Sequence, residues 1–87
     1  MKSFYTFRKA LIIDSQTRKI ELPYNICYAL RQLNQLYKLN RFSEIYMDAY
    51  DHNIEIYCFL KRYDSKFIKY LFVKYITDVR DGIMLMD

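Results

Sequence analysis

Residues 43–61, SEIYMDAYDHNIEIYCFLK, decide how the rest of the chain is read. Ile45, Met47 and Ala49 alternate with Glu44, Tyr46, Asp48 and Tyr50, and Ile54, Ile56, Cys58 and Leu60 alternate with Glu55, Tyr57, Phe59 and Lys61. Period-2 alternation marks a strand with one face in a core. Taken that way, the stretch is a β-hairpin turning at Asp51-His52-Asn53. Its outer face gathers Tyr46, Tyr50, Tyr57 and Phe59.

Working outward, residues 4–13 (FYTFRKALII) are aromatic and branched and read as a strand, with a slip at Arg8-Lys9 that a bulge or an edge position would explain. A turn at 14–17 leads to a short returning strand at 18–22, with Ile20 and Leu22 inward. Pro23 then opens a helix whose stripe is Ile26, Ala29, Leu30, Leu33, Leu36 and Tyr37, with Asn40 as its stop. After the hairpin, Asp64 is the expected N-cap of a second helix reaching about Arg80. Its apolar positions are Phe67, Ile68, Leu71, Phe72, Tyr75, Ile76 and Val79, widened by Tyr70 and Val73. Gly82 falls where a left-handed cap is expected, and residues 83–86 (IMLM) read as a short fifth strand or an apolar tail.

The predicted fold is therefore α+β: ββαββα, a four-stranded antiparallel sheet with two helices on one face. A split β-α-β-β-α-β order, which omits the first strand, competes with it. In that order the last strand takes the place beside residues 18–22 that the tight turn at 14–17 gives to residues 4–13, and the local pairing is preferred.

Eighty-seven residues make one small domain, 1–87. Fourteen Lys and Arg against ten Asp and Glu give a net charge of +4, mildly basic and unevenly spread. Residues 1–42 hold eight basic and two acidic side chains, and 43–87 hold six and eight. Such a two-signed chain favours contact with an acidic partner or between copies. Cys27 and Cys58 lack metal or redox spacing and are expected as buried, reduced core residues of a cytoplasmic protein. The apolar runs are broken by charge, so neither a secretory signal nor a membrane span is expected. Abundant Ile, Lys, Asn and Tyr, with one Gly, one Pro and no Trp, is a composition that suits a virus- or mobile-element-encoded protein.

The sequence offers little catalytic chemistry. Its one histidine, His52, is expected in a solvated turn; one glycine excludes a glycine-rich phosphate loop; metal-ligand spacing is absent. No enzyme, no cofactor and no metal are expected. The expected function is non-enzymatic binding through protein contacts: self-association, with a homodimer foremost, or capture or occlusion of a partner protein. Tyr46, Tyr50, Tyr57 and Phe59 on the open sheet face would be its anchors. The alternative is nucleic-acid binding, with Lys61, Arg62, Lys66 and Lys69 holding phosphates while the same aromatics stack bases.

Overall fold

The computed structural model contains four α-helices and, among the described residues, no strand: α1 Lys2–Thr17, α2 Tyr24–Leu39, α3 Phe42–Leu60 and α4 Lys66–Met86. The structure describes residues 1–39 and 42–86, and for 42–48 and 83–86 the backbone alone. The chain divides into two compact units: α1 with α4, and α2 with α3. The expected α+β fold, with its ββαββα order and four-stranded antiparallel sheet, is overturned by this all-helical architecture.

The correction has a physical basis in the expected hairpin. A tight hairpin turn needs residues at positive φ, normally supplied by Gly or Asn-Gly. Asp51-His52-Asn53 contains no glycine, and no glycine or proline occurs anywhere between Pro23 and Gly82. Nothing interrupts a helix there, and α3 runs through the expected turn for 19 residues. Ala49, Ile56 and Leu60 are buried, at i, i+7 and i+11, the spacing of one face of a 3.6-residue helix. Ile54, assigned inward by the alternation, is 43% exposed. Cys58 is exposed as well, as is Cys27, and both are free thiols rather than buried core residues.

In the first unit, residues 4–13 form most of α1 instead of a strand. Phe4, Phe7, Leu11 and Ser15 are its buried positions, so the slip at Arg8-Lys9 was the helical period showing through. This face packs on α4, whose buried positions include Ile68, Leu71, Phe72 and Tyr75. Phe4 lies 5.1 Å from Tyr75 and Phe7 5.2 Å from Phe72, ring centre to ring centre, so the two helices run antiparallel. Phe7 also stacks on Tyr75, at 6.1 Å and 9° between planes. Such aromatic pairs add about 0.5–1.5 kcal/mol beyond their burial.

Helix α1 does not lead into a returning strand. It ends in a Schellman motif: Ile20 N–H donates to the Ser15 carbonyl (2.8 Å) and Lys19 N–H to that of Gln16 (3.2 Å). Lys19 takes the left-handed conformation at φ 57°, where glycine is the usual residue. Ile20, expected inward, is 37% exposed. Lys19→Gly should therefore raise stability by about 1 kcal/mol and a β-branched Lys19→Val should lower it, as read by urea denaturation. Equal stability of all three would show that this cap carries no strain.

Helix α4 is capped by Ser65, whose Oγ accepts from Ile68 N–H at 3.2 Å, one residue beyond the expected Asp64. It continues past Arg80 to Met86, so residues 83–86 extend a helix rather than form a fifth strand. Gly82 lies within that helix without a positive φ, and is not its left-handed cap.

In the second unit, α2 follows the expected stripe: Ile26, Ala29, Leu30, Leu33 and Tyr37 are buried. Pro23 immediately precedes it, and its carbonyl accepts from the amides of Ile26 and Cys27, starting the helical ladder. Asn40, the expected stop, lies outside the described residues. Helices α2 and α3 form an antiparallel pair, since Asn25 Nδ2 donates to Glu55 Oε2 (3.1 Å) while Tyr28, one turn on, packs edge-on against His52. His52 is thus half-buried in mid-helix, not at a solvated turn.

No helix among the described residues is long and apolar enough to cross a membrane.

Candidate functional site

Converting the hairpin into one helix redistributes the aromatic residues assigned to a single sheet face. Successive side chains of a helix are about 100° apart, so residues two apart point to opposite sides. Tyr57 is 50% exposed. Phe59 is half-buried and packs 5.5 Å from the ring of Tyr63. These two do not share a surface. Tyr50 is 60% exposed and does share one with Tyr57, at i and i+7. The side chain of Tyr46 lies outside the described ones.

Ile54, assigned to the core from sequence, joins Tyr50 and Tyr57 to complete an exposed line at i, i+4 and i+7 of α3. Lys61 extends that line by one turn, its Nζ 4.7 Å from the centre of the Tyr57 ring. A cation so placed holds the ring by about 0.5–1 kcal/mol at an exposed site. Asp51 and Glu55, each one residue on from Tyr50 and Ile54, form a parallel acidic ridge about 100° around the helix. On α2 of the same unit, Tyr24 and Tyr28 are also exposed, with ring centres 6.3 Å apart and planes 21° apart.

The first unit has an exposed line of its own, which the sequence reading placed partly in the core. Phe67, Tyr70 and Val73 are each more than 60% exposed, on the side of α4 opposite Ile68, Leu71, Phe72 and Tyr75. Spacings of three between Phe67, Tyr70 and Val73 were visible in the sequence, but neighbouring Ile68, Leu71 and Phe72 obscured which of two stripes was internal.

The four cations of the nucleic-acid alternative are divided between the units. Lys61 and Arg62 occupy the exposed turn after α3, and Lys66 and Lys69 the first turn of α4, with Lys69 half-buried. Helix by helix, charge is strongly sorted. Helix α3 contains Glu44, Asp48, Asp51 and Glu55 and no Lys or Arg, a net charge of −4. Helices α1 (Lys2, Arg8, Lys9 against Asp14), α2 (Arg31, Lys38) and α4 (Lys66, Lys69, Lys74, Arg80 against Asp78, Asp81) each carry +2.

Between α1 and α4 lies an open depression of about 230 Å³, lined by Lys2, Ser3, Thr6, Leu71, Lys74 and Asp78. Ser3 Oγ is sealed from solvent without a hydrogen-bond partner, so it offers nothing to a visitor in that space. Among the described residues no group of three His, Cys, Asp or Glu side chains could hold a metal ion. What the geometry supplies is contact area: exposed aromatic faces on α2, α3 and α4, that of α3 on an acidic helix and those of α2 and α4 on basic ones. No family model, no curated protein and no solved structure matches the chain.

Proposed function

We propose that this is a non-enzymatic binding protein acting through protein–protein contacts, by self-association or by capture of a partner protein, in a reducing cytoplasmic compartment. The observation that carries the reading is the line of Tyr50, Ile54 and Tyr57, all at least 43% exposed along one face of α3. Single exposed apolar residues are ordinary, but three aligned over two turns offer a partner a continuous apolar contact. Large aromatics are also the residues that concentrate interface energy, at roughly 2 kcal/mol or more for a central anchor.

The test is the double variant Tyr50→Ala/Tyr57→Ala. Both side chains face solvent, so helix content should be unchanged and stability should shift by no more than about 1 kcal/mol per site, the loss at Tyr57 including its contact with Lys61. Sedimentation should show self-association, or pull-down the capture of a partner, weakened at least roughly thirtyfold. Unchanged binding in both assays would remove α3 as the binding face.

Nucleic-acid binding is the weaker reading. Among the described residues there is no sheet on which bases could stack, and the exposed aromatics of α3 stand beside Asp51 and Glu55 on a helix of net charge −4, which repels phosphate. Its specific support is the pairing of Lys61 with Tyr57, a cation and a ring on one surface. Salt-sensitive quenching of tyrosine fluorescence by single-stranded oligonucleotides, lost on neutralising Lys61, Arg62, Lys66 and Lys69, would make it the leading reading instead.

A further inference from the structure

We infer that α3 of one copy docks on α4 of another, the stripe of Tyr50, Ile54 and Tyr57 meeting that of Phe67, Tyr70 and Val73. The inference rests on the protein-binding reading of α3 and adds the occupant: a second copy, held through a named, different helix. Both stripes are uncovered, each spanning about two turns with three large apolar side chains, so they match in length and chemistry. Charge favours placing α3 on a basic helix, and of the three helices at +2 α4 is the one that exposes three aligned large apolar side chains among the described residues. Helix α3 is the one acidic helix, at −4, and the cations of α4 are interleaved with its stripe: Lys66 adjoins Phe67, and Lys69 adjoins Tyr70. Placing α3 on α3 or α4 on α4 would bring like charges together, whereas α3 on α4 sets Asp51, with Glu55 beside it also hydrogen-bonded to Asn25 of its own unit, against Lys66 and Lys69. The position of these two lysines supports a role beyond the fold. They stand in the first turn of α4, which holds no acidic residue, where the positive end of the helix dipole disfavours them.

Charge reversal and mixing test the inference. One variant carries Asp51→Lys and Glu55→Lys, the other Lys66→Glu and Lys69→Glu. Each alone should self-associate roughly tenfold or more weakly than the wild type by sedimentation equilibrium at low salt. An equimolar mixture should recover wild-type association, because every contact between unlike variants is complementary again. The acidic α4 variant suits its helix dipole and should fold. Should the α3 variant lose helix by circular dichroism, Asp51→Asn/Glu55→Gln replaces it, paired with Lys66→Gln/Lys69→Gln, and each neutral variant should flatten the salt dependence of association.

A wild type that stays monomeric at high micromolar concentration overturns the inference, while capture of another protein through Tyr50 and Tyr57 would still stand. Association that survives both reversals, or that mixing fails to restore, also overturns it.

Discussion

Ile56→Ala is expected to cost about 2–5 kcal/mol of stability, while Ile54→Ala, two residues away, costs less than about 1 kcal/mol. The contrast follows from helix geometry. Ile56 is fully buried and Ile54 is 43% exposed, because two residues along a helix turn the side chain about 200°. In a strand the two would point to the same side, and truncating either would leave a comparable cavity. The pair of substitutions therefore measures the local conformation of α3 as well as its packing. Thermal and urea denaturation followed by far-UV circular dichroism would read both. Similar losses for the two variants would return this segment to the sheet that its alternation first suggests.

Phe7→Ala should be the most damaging truncation in the unit formed by α1 and α4, at about 3–5 kcal/mol. Phe7 is fully buried, stacks on Tyr75 and tilts against Phe72 at 5.2 Å. An ordinary protein of this length is stable by about 4–13 kcal/mol, so the loss takes a large part of the whole. Phe7→Leu keeps most of the volume and should cost less than about 1.5 kcal/mol. A Phe7→Ala protein with an unshifted urea midpoint would show that the aromatic cluster of Phe4, Phe7, Phe72 and Tyr75 contributes little.

Some of the fold was legible because a single signal was present. Ile26, Ala29, Leu30, Leu33 and Tyr37 have helical spacing only, Pro23 stands at their start, and α2 follows both cues. The core of α4 was legible only in part: Ile68, Leu71, Phe72 and Tyr75 are buried as expected, but Phe67, on the same expected stripe, is 63% exposed. Helix α3 was misread because its residues satisfy two periods at once, and α1 because its aromatic and branched composition outweighed the break in its alternation. Ile56 and Leu60 are four apart, a spacing that falls on one face of a strand and of a helix alike. Tyr, Phe and Ile also have strand preference, which biases the choice when periodicity is divided. The deciding cue was negative and was in the sequence: an expected hairpin without glycine at its turn.

The candidate site was legible only in part for the same reason. Tyr50 and Tyr57 are exposed under either period, whereas Phe59 was drawn onto their face, and Ile54 away from it, by the alternation. The sorting of charge among helices, −4 on α3 and +2 on each of the others, was in the sequence but could be assigned to surfaces only once the helix boundaries were known.

Local sequence by itself determined the start of α2 at Pro23, the start of α4 to within one residue, and the apolar stripe of α2. Tertiary structure alone decided that α1 pairs with α4 across nearly the full length of the chain while α2 pairs with its neighbour α3. An apolar stripe shows that a helix has a face to bury but not which helix covers it, so the periodicity of one does not name its partner. The pairing comes from the fit of particular side chains, such as Phe7 between Phe72 and Tyr75, and that fit exists only when distant segments are brought together.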